Sequence, residues 1–205
     1  MLQVLRTLPK SLVTVAYSGG VDSGALFHFL RLRGTPIQLA HMVHQNSDTS
    51  LRELEFVQSQ ANKYSIPLVV RHQESHNSDK SREESWRDAR LAFFREFDIV
   101  VTGHTLDDAV EWYLYTAING DGKLMPAQTR NVLKPFLHQR KSDLLEFMTE
   151  NSLEWIEDPS NQLPQFAKRN YVRNVLMPSA LEVNPGLYNM IRRRIITNAQ
   201  NWEQT

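Results

Sequence analysis

The sequence predicts an α/β fold: a doubly wound parallel sheet with flanking helices, followed by a short C-terminal helical appendage. Three observations predict it. Short apolar, β-branched runs alternate with stretches whose apolar residues recur at helical spacing, the pattern of a parallel sheet covered on both faces. The first of those runs stops at two adjacent glycines that lead into a helix. After Ile118 the alternation ceases and helical stretches follow one another.

Residues 12–17 are an apolar run that ends at Gly19 and Gly20 and reads as the first strand. Residues 25–33 have helical periodicity and are closed by Gly34, a frequent helix terminator. Residues 36–43 read as a second strand. Residues 51–64 are amphipathic, with Leu51, Leu54, Val57 and Ala61 on one side. A third strand over 67–70, a helix over 82–97, a fourth strand over 99–102 and a helix over 106–118 complete the alternating part. The turn-rich break Asn119-Gly120-Asp121-Gly122 follows. Helices are then expected over 140–151, over 166–176 (stopping before Pro178) and from Pro185 into Trp202, with a polar loop at 157–161.

Composition bounds the function. The 205 residues are 41% apolar and 22% charged, which is ordinary for a globular chain able to bury a core. Lys+Arg and Asp+Glu are both 23, so any nucleic-acid contact must come from local patches or a partner rather than a general basic excess. The N-terminal residues lack the apolar core and cleavage site of a signal peptide, and no apolar run approaches a membrane span. The expectation is a soluble cytoplasmic protein with no membrane partner. There are no cysteines, which excludes disulfides, thiolate metal sites and cysteine nucleophiles on this chain.

The most informative stretch is Ser18-Gly19-Gly20-Val21-Asp22-Ser23, between the first strand and the first helix. Glycines let a backbone approach a ligand and take positive φ. The helix that follows offers free N–H groups and a partial positive charge, so the turn is an anion site suited to phosphates. It is neither a Walker loop, having no lysine at the turn, nor a G-x-G-x-x-G turn. Asp22 inside a phosphate loop would repel the ligand unless a divalent cation lay between, which implies Mg²⁺. A second polar stretch, Thr102 to Glu111, follows the fourth strand, where side chains face the ligand crevice of a parallel sheet. His104, Asp108 and Glu111 are spaced to converge on one helical face; read as structure alone, the same residues are a helix cap and a solvated acidic turn.

SGGVDS in this position resembles the PP-loop of the N-type ATP pyrophosphatases, whose loop binds the pyrophosphate part of ATP during adenylation. The resemblance implies an adenine nucleotide alpha hydrolase-like fold and ATP binding by Ser18, Gly19, Gly20, Val21, Asp22 and Ser23. Three further stretches are similar to the lysidine synthetases of that superfamily. Thr102 to Glu111 resembles their G-H-x-x-D-D-x-x-E-T signature, with Thr105 in place of a second histidine and Trp112 in place of the threonine. Trp155, the loop Glu157-Asp158-Pro159-Ser160-Asn161, Arg169-Asn170-Tyr171-Val172-Arg173 and Pro178 resemble their W-x-E-D-x-S-N, R-N-x-x-R and P segment. Glu83, Arg87 and Arg90 match a third segment, with Leu91 where the family has tyrosine. His41 and His44 fall where the family carries a histidine-rich turn, followed here by Gln45-Asn46-Ser47; crevice or surface histidines suit them better than a zinc pair, since no further ligand cluster completes one.

The resemblance implies tRNA modification: the wobble cytidine of a tRNA(Ile) bearing a CAU anticodon is adenylated at C2 through its O2, and L-lysine replaces AMP. Catalytic positions are then Asp22, His104, Asp108 and Glu111. Asp22 and Asp108 hold Mg²⁺, and Asp108 or Glu111 is the candidate base for the incoming amine. RNA contact falls to Arg87, Lys168, Arg169 and Arg173; the run Arg192-Arg193-Arg194 is either a further contact or a solvated helix face. The corresponding division is an ATP pyrophosphatase domain over 1–135 and a helical extension over 136–205 without a separate tRNA-binding domain, with a homodimer left open. The other readings are an amide- or amine-forming ligase acting on a small metabolite, and an inactive nucleotide-binding module.

Overall fold

The computed structural model describes residues 2–43, 48–73, 82–157 and 168–201. Its elements run β1 (Val13–Ala16), α1 (Val21–Leu32), β2 (Ile37–Val43), α2 (Asp48–Lys63), β3 (Leu68–His72), α3 (Arg82–Phe94), β4 (Val100–Val101), α4 (Leu106–Ile118), β5 (Gln128–Thr129), β6 (Val132–Leu133), α5 (Lys141–Glu150), α6 (Lys168–Tyr171), a π-helical segment Val172–Leu176, α7 (Met177–Val183) and α8 (Leu187–Asn201). They form a six-stranded sheet in the order β3-β2-β1-β4-β6-β5. All neighbours are parallel except β5, which pairs antiparallel with β6.

Alternation along the strands distributes side chains to two layers. On one side, Val13, Val15 and Tyr17 around β1 and Ile37 and Leu39 of β2 pack with Leu26, Phe27 and Leu30 of α1 and Val57 and Ala61 of α2. On the other, Ala40 and Val100 pack with Phe93 and Phe94 of α3. Both faces are therefore covered, which is the doubly wound arrangement expected. Phe136, Leu144 and Met148 join the β1–α1 core, so α5 is packed into the α/β layer itself. A separate cluster joins Leu106, Ala109 and Val110 of α4 to Leu187, Ile191 and Ile195 of α8.

The expected strands and helices are present, with three differences. α1 begins at Val21, four residues earlier than expected, inside the glycine motif rather than after it. The β5–β6 hairpin was not foreseen: its strands are two residues long, too short to show alternation, and its turn places Arg130 at φ 54° without a glycine. Asn131 explains why the hairpin sits where it does, donating from Nδ2 to the Phe94 and Phe97 carbonyls at the end of α3 (2.7 and 2.8 Å). Finally, the helical path does not stop before Pro178. That proline lies in the first turn of α7, where its missing N–H costs no hydrogen bond, and the wider π turn before it carries the chain into α7.

Candidate active site

The strand order reverses at β1: β2 and β3 lie on one side, β4 and β6 on the other. Connections leaving neighbouring strands at such a point diverge to opposite faces and leave a crevice at the carboxyl ends. The two motifs singled out in the sequence occupy that crevice, because one follows β1 and the other follows β4.

The loop after β1 is closed by its own serines. Ser23 Oγ accepts from the Ser18 amide (3.2 Å), lies 3.1 Å from Ser18 Oγ, and donates to the Gly20 carbonyl (3.1 Å). Gly19 has φ 85°, and a Cβ there would stand 2.9 Å from both Ile156 and Phe56. Gly20 has an ordinary φ of −71° and caps α1 without a side-chain hydrogen bond. A Cβ on Gly20 would meet only Ser18 Oγ, at 3.6 Å, so its lack of a side chain is not required by the protein's own packing. The Ile156 amide donates to the Gly19 carbonyl (2.9 Å) and ties the Trp155–Glu157 segment to the loop.

The loop after β4 presses directly on it. A Cβ on Gly103 would lie 2.6 Å from the Asp22 carbonyl oxygen and 2.9 Å from the Ser23 amide nitrogen, so glycine is what lets the two backbones touch. Thr102 Oγ1 sits 2.8 Å from His104 Nδ1 and orients that ring. Thr105, buried at the start of α4, holds Asp108 by two hydrogen bonds to Oδ2, from its amide (2.8 Å) and its hydroxyl (3.0 Å). This reciprocal cap is why Thr105 suits a position where a histidine was anticipated.

Two cavities flank the glycine loop and share Ser18, Asp22, Ser23 and Glu53. One, about 310 Å³, opens over the ends of β1, β2 and β4 and is lined also by His41, Arg90, His104 and Asp108. His41 is positioned there by donating from Nδ1 to the Tyr17 carbonyl (2.9 Å). The other, about 440 Å³, lies between the loop, the start of α5 and the Trp155–Glu157 segment, and includes Lys141.

Asp22, Asp108 and Glu111 each have a cation against them. Asp22 Oδ2 is 3.4 Å from Lys141 Nζ. Burial pushes the Asp22 carboxyl above the usual range, Lys141 pulls it down, and the charge of Asp108 adds to the rise. Arg173 bridges two carboxylates, with Nε 2.7 Å from Glu111 and Nη2 3.2 Å from Asp108. Burial opposes the Arg173 charge, but Glu111 and Asp108 outweigh it and hold the guanidinium protonated. Asp107, one residue before Asp108, faces elsewhere. It accepts from Tyr188 Oη (2.8 Å) and the Lys141 amide (2.7 Å), and lies 3.5 Å from Arg140, whose guanidinium stacks 3.4 Å above the Tyr188 ring. Asp107 joins α4, α5 and α8, whereas Asp108 belongs to the crevice.

The structure thus brings together Ser18 to Ser23, His104, Asp108, Glu111 and Arg173. Arg173, expected on an RNA-facing surface, is turned onto the carboxylates. Arg87 is exposed on α3 and does not line either cavity, whereas Arg90, three residues on, does. Lys168 and Arg169 lie on the short α6. Of Arg192 to Arg194, the first donates to the His138 carbonyl (3.0 Å) and the next two are exposed, the fanning expected of consecutive helical residues. His44 and residues 158–161 lie outside the described residues. Lys141 was missed: a lysine at a helix start carries no sequence signal, and only the packing of α5 against α1 brings it to Asp22.

No group of three or more His, Asp or Glu side chains able to hold a metal occurs among the described residues. Mg²⁺ asks for less, since one or two carboxylates suffice when waters and substrate phosphates complete the shell. Asp22 fits that role: its Oδ1 is buried with no hydrogen-bond partner among the described residues. Asp108 could join it once Arg173 moves off Oδ1.

A PP-loop domain model matches residues 1–180. A tRNA(Ile)-lysidine synthase from Solibacter usitatus is 32% identical, over 85% of this chain and 42% of its own length. One from Francisella tularensis is 28% identical, over 94% of this chain and 52% of its own. The chain therefore spans about half the length of the curated relatives it matches. Among solved structures, a U34-tRNA thiolase from Methanococcus maripaludis has the same fold, with a TM-score of 0.70 at 16% identity over 94% of this chain and 74% of that one.

Proposed function

Because the chain belongs to the PP-loop domain family, we propose that it uses ATP to adenylate a cytidine of a tRNA and that an amine, L-lysine, then displaces AMP. The observation that carries this reading is the contact of the glycine loop with the β4 loop through Gly103, which puts a phosphate cradle and the His104–Asp108–Glu111 face in one crevice. The tRNA(Ile)-lysidine synthases that resemble the chain supply the substrate class, tRNA(Ile), and the motif resemblance supplies the target, the wobble cytidine of a CAU anticodon.

In this reading the amides of the glycine loop and the uncapped first turn of α1 bind the ATP phosphates. Bound Mg²⁺ would neutralise phosphate charge, with Asp22 as its first protein ligand and Asp108 as its second. The base O2 forms a bond to the α-phosphorus as the bridging bond to the β-phosphate breaks, and the bond pair leaves with pyrophosphate. His104, oriented by Thr102, fixes the nucleotide. The amine must be neutral to attack C2, and Asp108 or Glu111 accepts its proton. Arg87, Lys168 and Arg169 contribute RNA contacts, and Arg173 reaches the RNA or the substrate when it leaves Glu111. No helix among the described residues is long and apolar enough to cross a membrane; the reading places the protein with tRNA in the cytoplasm.

The test is incubation with ATP, Mg²⁺, labelled lysine and unmodified tRNA(Ile). Lysine in the RNA with matching pyrophosphate is the expected result. Pyrophosphate without lysine incorporation would reject this substrate pair and redirect the search to small amine acceptors. Asp22→Ala is expected to abolish pyrophosphate release, and near-normal turnover in that variant would overturn the metal assignment.

A further inference from the structure

The cavity between the glycine loop and α5 is left over once the crevice at the strand ends has been given to the nucleoside and the target base. It is about 440 Å³ and reaches Ser18, Gly20, Asp22 and Ser23 from the side opposite His104 and Asp108, neither of which lines it. Its lysine is Lys141, whose ammonium stands 3.4 Å from Asp22 Oδ2. The position of Lys141 is fixed from behind: its amide donates to Asp107 Oδ2 (2.7 Å), and α5 is anchored in the core by Leu144 and Met148. The side chain itself is 51% exposed, so it contributes little to the fold and remains free to swing.

From this geometry we propose that Lys141 is the leaving-group residue of the site, an ammonium that holds Asp22 before substrate binds and transfers to the β- and γ-phosphate oxygens of ATP and to the released pyrophosphate. The proposal rests on the adenylating reading above and names a residue that reading does not use. When the α–β bridging bond breaks, the electron pair remains on pyrophosphate and its negative charge rises. A cation that moves onto the β-phosphate offsets that charge, and its departure removes a positive charge from beside Asp22, whose Oδ1, partnerless among the described residues, is the oxygen a divalent cation would take. The ammonium and the divalent cation therefore compete for Asp22 without nucleotide and act together with it. A lysine that only decorates the surface predicts neither effect.

The experiment compares the full chain with Lys141→Met and Lys141→Arg. Pyrophosphate with Mg²⁺, and Mn²⁺ alone, are titrated calorimetrically in the absence of turnover, and pyrophosphate release is measured separately. For Lys141→Met, the expected result is pyrophosphate affinity lower by roughly ten- to a hundredfold, the loss of one charge-assisted contact. Mn²⁺ affinity without nucleotide should rise several-fold, pyrophosphate release should slow, and the thermal midpoint should stay put. Lys141→Arg should retain most of the pyrophosphate affinity. Opposite movements of the two affinities cannot come from misfolding. If Lys141→Met binds pyrophosphate as tightly as the parent chain, the assignment is overturned while the adenylation reading stands. If the parent chain binds neither ATP nor pyrophosphate, both are overturned.

Discussion

Gly20 and Gly103, one in each loop of the crevice, differ in what they make room for, and paired alanine substitutions separate those reasons. Gly103→Ala would put a Cβ 2.6 Å from the Asp22 carbonyl oxygen. Ordinary van der Waals contact begins near 3.4 Å, so the β4 loop and the glycine loop must part by about 0.8 Å, and the atom in the way is backbone. Overpacking of this kind costs about 1–3 kcal/mol. For a chain of this length that lowers Tm by roughly 2–4 °C per kcal/mol. A catalytic geometry displaced by about 1 Å loses about a hundredfold in rate. Gly20→Ala is the contrast. Its φ of −71° suits alanine, and the added methyl meets only Ser18 Oγ at 3.6 Å, so Tm should hold or rise slightly as the unfolded chain loses freedom. Yet Gly20 lines the larger cavity, and a methyl there would stand where phosphates approach. Differential scanning fluorimetry with and without ATP–Mg²⁺ measures both quantities. The expectation is a Gly103→Ala protein that is less stable and weakly stabilised by ATP, and a Gly20→Ala protein that is fully stable and not stabilised by ATP. ATP stabilisation of Gly20→Ala equal to that of the parent chain would refute the phosphate cradle.

Further expectations follow from the charge pairs and the core. Arg173→Met leaves Glu111, 10% exposed at its side chain, without its 2.7 Å partner. Removing one member of a buried pair is severe, so a loss of about 2–3 kcal/mol is expected for this half-open one, and adding Glu111→Gln should recover at least about 1 kcal/mol. Urea unfolding of the double-mutant cycle checks this, and simple additivity would contradict the pairing. His28 is fully buried among aromatic rings, with neither ring nitrogen hydrogen-bonded among the described residues, and burial lowers its pKa to about 4. Its folded pKa lies below its unfolded value of 6.5, so the stability tied to the neutral ring is present above 6.5 and is lost as pH falls toward 4. Between pH 7 and pH 5 this amounts to about 2 kcal/mol, and His28→Leu should flatten the profile over that window. An unchanged pH profile in the variant would contradict the burial argument.

The alternating part of the fold was legible because its strands and helices each satisfy a period: β1 and β2 are apolar runs, and α2 and α4 carry their apolar residues at helical spacing. What could not be read lacks a period or depends on partners distant in sequence. The β5–β6 hairpin is held by Asn131 reaching the end of α3, more than thirty residues away in the chain. The π turn at Val172–Leu176 has the same local composition as an α-helix, so Pro178 looked like a stop when it is the first turn of the next helix.

The same division runs through the site. Glycines and carboxylates of the crevice were legible because their spacing within one loop or one helix turn is short. Spacing from His104 and Glu111 singled out Asp108 for the crevice, but only Tyr188, eighty-one positions away, shows that Asp107 is an anchor. The counter-cations were the illegible part: Lys141 comes from α5 and Arg173 from the π turn, and neither lies near its carboxylate in sequence. Their arrangement explains how an acidic crevice can receive a polyanion. Asp22, Asp108 and Glu111 would repel phosphates if bare, and each already faces an ammonium or a guanidinium. In the proposed reading, the charge that an incoming phosphate must meet is partly cancelled before it arrives, and the cations that cancel it are long side chains able to turn toward the ligand as a divalent cation takes their place. Removing either cation should then weaken phosphate binding although the glycine loop itself is untouched.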